Sequence, residues 1–230
     1  MTETTYCKSF KELIEKSADE TYIGRGNPNA KILFVGKEYS GPNENEEFNA
    51  KYWKEKISKD EPVCLTHKKD VSEGHTWNKY QKLHDYIFEK PKTDQIDFEE
   101  LIFTTEMSEI PQKNTRKARK NPAFQQKLSD RKECFFKSNF IQEFPVVVLA
   151  CSDYIQNNQE IREIDDIFEV KYKDEYEKGV ITKSNWFYSH YNENKTKLVI
   201  HTRQLSGNVT SELLQKMGKL IRDHLAKTTI

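Results

Sequence analysis

Lys31-Ile32-Leu33-Phe34-Val35-Gly36-Lys37-Glu38 is the stretch that decides the fold, because four apolar side chains run straight into a glycine and two charged residues. Three later stretches repeat the arrangement. Leu101-Ile102-Phe103 precedes Thr104-Thr105-Glu106, Val146-Val147-Val148-Leu149 precedes Cys151-Ser152-Asp153, and Leu198-Val199-Ile200 precedes His201. Unbroken β-branched and aromatic runs suit strands covered on both faces, as in a parallel sheet. Ligands of open parallel sheets sit beyond the carboxyl ends of the strands. Side by side, the four runs would gather Glu38, Thr104, Thr105, Ser152 and His201 around one crevice.

Helical periods fall between these runs. Phe10, Leu13 and Ile14 predict a helix near 8–18, and Trp77, Tyr80, Leu83, Ile87 and Phe88 predict an amphipathic one. Phe124, Leu128, Phe135, Phe136, Phe140 and Ile141 suggest a helix ending before Pro145. Leu213, Leu214, Met217, Leu220, Ile221 and Leu225 form one stripe, with Asn208 as a plausible N-cap. Short strand candidates lie at Ile167–Val170 and Trp186–Ser189. Alternating strand and helix means α/β. The polar stretch 37–75 is long for a connection, which favours a functional loop.

With 230 residues, one domain spanning 1–230 is the simplest organisation. Charged residues make up 32% against about 25% for an average protein, while thirteen Phe and eleven Tyr supply core bulk. Basic and acidic residues balance at 37 each, so the chain as a whole is no polycation and only a local patch could serve nucleic acid. Such a patch is 113–120, with Lys113, Arg116, Lys117, Arg119 and Lys120 and no acid. Phosphate contact and plain solvation are both open to it. The four cysteines are far apart without a C-x-x-C, which argues for reduced thiols and against a metal or cluster site. No apolar stretch approaches the ~20 residues needed to span a bilayer, and no signal pattern opens the chain. A cytoplasmic monomer without cofactor is the expectation.

Among single residues, Gly36 suits a close backbone approach to a ligand or an ordinary turn. Glu38 could serve as a general base or water-positioning carboxylate, or be a solvated surface group. His201 could donate to charge developing on a leaving group, or be structural. Tyr39, Phe48, Tyr52 and Trp53 could stack on a base or pack beneath the long loop. A hydrolase built from Ser152 or Cys151 with His201 is a weaker option, because no G-x-S-x-G elbow is present.

Taken together, Gly26-Asn27-Pro28-Asn29-Ala30-Lys31-Ile32-Leu33-Phe34-Val35-Gly36 with Glu38, Leu101-Ile102-Phe103-Thr104-Thr105, the Arg131 to Phe136 and Pro145 to Leu149 segments, and His201-Thr202-Arg203-Gln204-Leu205-Ser206 resemble the uracil-DNA glycosylase superfamily. The resemblance implies a three-layer α/β/α fold around a central, mostly parallel four-stranded sheet. It also implies hydrolysis of the N-glycosidic bond of a flipped, uracil-type base in DNA. Glu38 and His201 would be catalytic. Gly36, Tyr39, Phe48, Thr104 and Thr105 would hold the base, and Lys113, Arg116, Lys117, Arg119, Arg203 and Ser206 would touch phosphates. Departures are plain: Tyr39 replaces a proline, Thr105 a base-reading asparagine, and Thr202-Arg203 a Pro-Ser pair. The alternative is a catalytically inactive protein on the same fold that binds a nucleobase, nucleotide or small metabolite.

Overall fold

Each of the four apolar runs is a strand, or the start of one, in the computed structural model, which describes residues 6–39, 48–61, 67–68, 75–91, 95–112, 115–173 and 178–228. In chain order the elements are α1 (Lys8–Lys16), β1 (Arg25–Gly26), β2 (Ile32–Glu38), α2 (Ala50–Ser58), β3 (His67–Lys68), α3 (Thr76–Phe88), β4 (Gln95–Ile96) and β5 (Ile102–Ser108). There follow α4 (Thr115–Ala118), α5 (Phe124–Asp130), α6 (Asn139–Gln142), β6 (Val146–Leu149), α7 (Glu163–Phe168), β7 (Lys171–Tyr172), β8 (Lys178–Thr182), β9 (Asn185–Tyr191), β10 (Leu198–Thr202) and α8 (Ser211–Thr228).

β5, β2, β6 and β10 lie side by side in that order, and every neighbouring pair is parallel. Taken by position in the chain, the order is 2-1-3-4, which puts a topological switch between β2 and β6. The expected four-stranded sheet is therefore the centre of a larger, mixed one. Among the described residues eight strands join it: β1 is antiparallel on β5, β9 antiparallel on β10, and β7 and β8 both pair with β9.

The burial pattern explains why these runs lack polar alternation. Leu33, Val35, Val147 and Leu149 face a core shared with Phe10, Trp53, Phe124, Phe140 and Ile164. Ile32, Phe34, Val146 and Val148 face the opposite core, with Tyr80, Leu83, Leu213 and Ile221. Helices α1, α2, α5, α6 and α7 thus cover one face, and α3 and α8 the other. Each such side chain stabilises by about 1.5–3 kcal/mol, against about 0–1 for a surface ion pair, so the sheet's two faces dominate the stability.

Several local expectations change. Ile167 and Phe168 end helix α7, where the chain turns at Glu169 (φ 54). The segment 124–142 is broken: a wide π turn over Arg131–Phe135 separates α5 from α6. Thr210 rather than Asn208 caps α8, its Oγ1 accepting from Leu213 N at 3.3 Å. The 37–75 stretch contains helix α2, capped by Asn49, whose side chain accepts from Tyr52 N. Among the described residues no helix is long and apolar enough to cross a membrane.

Candidate functional site

A cleft of about 360 Å³ opens at the carboxyl ends of β2 and β5. Its floor is strand backbone and side chain: Gly36, Lys37 and Glu38 from β2, with Thr104 and Glu106 from β5. The amino end of α3 supplies Thr76, Trp77 and Tyr80, and the loop after β10 supplies Gln204 and Ser206. Tyr22, Arg25 and Tyr39 close another side. The volume falls in the range of about 300–1,000 Å³ for small-ligand sites, and the position is beyond the carboxyl ends of parallel strands, where ligands of open sheets sit.

Two carboxylates enter this cleft. Oε1 of Glu38 accepts from Thr115 Oγ1 at 2.9 Å, and its Oε2 is buried. The Tyr154 phenol is a neighbour; burial and then Glu38 push its pKa up. The second carboxylate is Glu106, which the register places opposite Gly36. A Cβ on residue 36 would stand 2.1 Å from Glu106 Oε2 and 2.9 Å from Oε1. Gly36 is thus where backbone must be bare, and what it accommodates is a carboxylate of the protein itself.

Tyr80 is the third polar group. The residue is 3% exposed, and its hydroxyl is buried without a hydrogen-bond partner. Burial, and next the Glu106 charge, push the phenol well above its ordinary pKa, so it remains a protonated donor. Arg25 lies between two aromatic faces, 4.4 Å from the Phe48 ring centre and 4.1 Å from that of Trp77, and is paired with Glu99. Gly24 (φ 130) and Gly26 (φ 99) flank it; a Cβ on either would strike the Thr104 or Ile102 carbonyl oxygen of β5, at 2.2 and 2.3 Å.

Several expected site residues lie elsewhere. Thr104 and Thr105 point to opposite faces, as successive strand residues must. Thr104 reaches the cleft, but the Thr105 hydroxyl is buried on the far side, donating to Ile23 O at 2.7 Å and accepting from Arg131 Nη2 at 2.9 Å. His201 sits inside β10, outside the lining of the cleft, with its Nε2 2.9 Å from Ser152 O and its ring against Trp186. Burial lowers its pKa to about 4, so the imidazole is neutral and donates to that carbonyl. Ser152, left-handed at φ 49, also accepts from Gln204 N through its hydroxyl. His201 therefore fixes the turn that presents Gln204 to the cleft. The same contacts remove the Ser152–His201 hydrolase arrangement, and burial raises the Cys151 thiol far from a reactive range.

Phe48 and Trp53 do not line the cleft. Phe48 covers Arg25 and edges onto Tyr52, and Trp53 is core, its Nε1 donating to Gly24 O. Tyr39 does reach the cleft but stacks on Tyr22 at 4.7 Å and donates to Glu109 O. Of the expected phosphate contacts, Lys113 lies outside the described residues. Arg203 donates to Ser184 O at 2.6 Å and to Gln204 O at 3.2 Å, which ties the loop to the β8–β9 turn. Arg119 pairs with Asp153, which also takes Lys37. Arg116 and Lys117 are exposed on α4, one and two residues beyond the Thr115 that holds Glu38.

Glu106, Tyr80, Trp77 and Arg25 escaped the sequence reading. Glu106 ends a quoted motif, and its place two residues after Thr104 was the signal available. Tyr80 and Trp77 looked like the core stripe of a helix, which Tyr80 also is. Arg131 is a further buried charge, 4% exposed, whose guanidinium donates to Glu106 O, Tyr22 O and Thr105 Oγ1, each at 2.9 Å. Away from the cleft, His84, Asp85 and Asp97 converge, but Gln81 Nε2 already donates to both aspartates at 2.9 and 2.7 Å. No protein-family model and no curated protein sequence matches this chain.

Proposed function

We propose that the cleft receives a nucleobase still joined to its sugar, and that the protein is a divergent glycosylase-like hydrolase of the N-glycosidic bond. The observation that carries this reading is the Glu38 carboxylate at the end of the first core strand. One oxygen is held by Thr115, and the buried carboxylate also has the Tyr154 phenol as a hydrogen-bonding neighbour. Cleaving the bond leaves a cationic sugar and an anionic base. A fixed carboxylate stabilises the first and orients water; a donor in a dry site stabilises the second. Tyr80, protonated and without a hydrogen-bond partner, is that donor in place of His201. The resemblance to the uracil-DNA glycosylase superfamily supports the same chemistry, and exposed Arg116 and Lys117 beside the cleft suit a phosphodiester backbone.

Single- and double-stranded oligonucleotides carrying normal and deaminated bases, incubated with excess protein, test it by chromatography of released base. Base release is expected, with Glu38→Gln about 10²–10³-fold slower. No release from any substrate, or equal release from the variant, refutes the enzymatic reading. The catalytically silent binder is the second reading. It is favoured by His201 and Arg203, whose polar atoms serve Ser152 and Ser184. Base binding without any cleavage would select it.

A further inference from the structure

Two cations at the rim of the cleft share a single carboxylate. Lys37 lines the cleft from β2, and its ammonium lies 3.3 Å from Oδ1 of Asp153, in the turn after β6. Oδ2 of the same carboxylate accepts from Arg119 Nη2. Each cation thus holds a different oxygen, and the trio keeps one positive charge in excess. The lysine side chain is 11% exposed and that of the aspartate 58%, so the ammonium is fixed in the wall while its counterion stands mostly in water. Both cations also lie against the Tyr154 ring, at 5.0 and 5.5 Å from its centre, and the hydroxyl of that ring is the neighbour of Glu38. Arg119 stands one helical turn beyond the Thr115 that holds Glu38. Tyr154 and the α4 turn therefore tie the cation pair to the carboxylate proposed to serve the sugar.

A carboxylate that bridges two cations through its two oxygens makes the contacts a phosphate group makes with lysine and arginine. Asp153 gives up little when it turns into water, because an exposed ion pair is weak. A phosphate in its place keeps both charge-assisted bonds, and a dianion also neutralises the excess charge. We infer that Lys37 and Arg119 form a phosphate subsite, occupied by Asp153 until a ligand phosphate displaces it, so that the cleft takes phosphorylated nucleotides in preference to free nucleosides. The inference rests on the nucleobase reading proposed above and adds to it the phosphate joined to the sugar that Glu38 serves. A mononucleotide and a nucleic-acid strand both supply that group.

Titration calorimetry of the full chain tests it with the common nucleosides, their 3′- and 5′-monophosphates, short single-stranded oligonucleotides and inorganic phosphate. Phosphorylated ligands are expected to bind about 10-fold more tightly than nucleosides, and Lys37→Gln or Arg119→Gln to remove that difference. Each of these variants should also reduce the slope of log affinity against log salt by about 1, which a merely structural loss would not do. Asp153→Asn removes the competing charge and should tighten phosphorylated ligands relative to nucleosides by about 10-fold. Such a gain cannot come from misfolding. A gain shown by the oligonucleotides assigns the phosphate to a strand and one confined to the monophosphates assigns it to a mononucleotide; either supports the subsite. Equal affinity for nucleosides and all phosphorylated ligands, unchanged in Asp153→Asn, overturns the subsite alone. Inorganic phosphate bound more tightly by Asp153→Asn, with no nucleoside, nucleotide or oligonucleotide bound, keeps the subsite and overturns the nucleobase reading. Absence of binding by every ligand overturns both.

Discussion

Alanine at position 36 would bring its Cβ to 2.1 Å from Oε2 of Glu106, where real contacts do not fall below 3.0 Å. The carboxylate must then withdraw by about 1 Å, the difference between those two distances. What yields is the end of a flexible side chain rather than backbone. The cost is accordingly that of a displaced rotamer and mild overpacking, about 1–2 kcal/mol. Alanine returns about 0.5–1 kcal/mol of chain entropy relative to glycine, so Gly36→Ala alone should lose only about 1 kcal/mol. For a chain of 230 residues that is about 2–4 °C in Tm. In a Glu106→Ala background the clash disappears and the entropy gain remains, so the same substitution should become neutral or stabilising. Urea denaturation of the four proteins measures the coupling, expected at about 1–2 kcal/mol. Additivity within about 0.5 kcal/mol would mean that Glu106 does not occupy the space above Gly36, and would refute the steric reasoning.

Two other outcomes follow from buried polar groups. The pKa of His201 falls from its ordinary 6.5 to about 4 on folding, so the unfolded chain binds the extra proton in between. Its contribution is fully present above about pH 6.5 and is lost as pH falls toward 4, about 3 kcal/mol in all. Denaturation midpoints between pH 7 and 4 should show this loss, and His201→Asn should flatten it; equal slopes would refute it. Arg131 is lowered to about 10 by burial and stays charged at neutral pH, where it serves three oxygens. Arg131→Met would leave those acceptors unserved and should cost at least about 3 kcal/mol by urea denaturation, without a direct contact to the cleft. A loss below about 1 kcal/mol would show that the clamp carries no load.

The motifs were legible where burial on both faces dictates composition. Ile32 to Val35 and Val146 to Leu149 could be only strands between two apolar layers, and the stripes of α3 and α8 only their covers. Glu38 was legible for the same reason, because a charge placed just where an apolar run stops belongs at a strand end. The reading failed where a residue's partner is distant in the chain. Thr105 and Thr104 are adjacent in sequence yet separated by the sheet, and only the register says which one meets the cleft. His201 looked catalytic because it follows a strand, but its Nε2 is set by a carbonyl 49 positions away.

Pattern alone determined the α/β class, the parallel core and the end of the sheet where polar groups gather, since these follow from which side chains avoid water. Tertiary structure alone decided which of those polar groups share a cavity. Strand order and register bring Glu106 over Gly36 and Tyr80 to the same wall, and no local sequence signal encodes a contact between segments 70 residues apart.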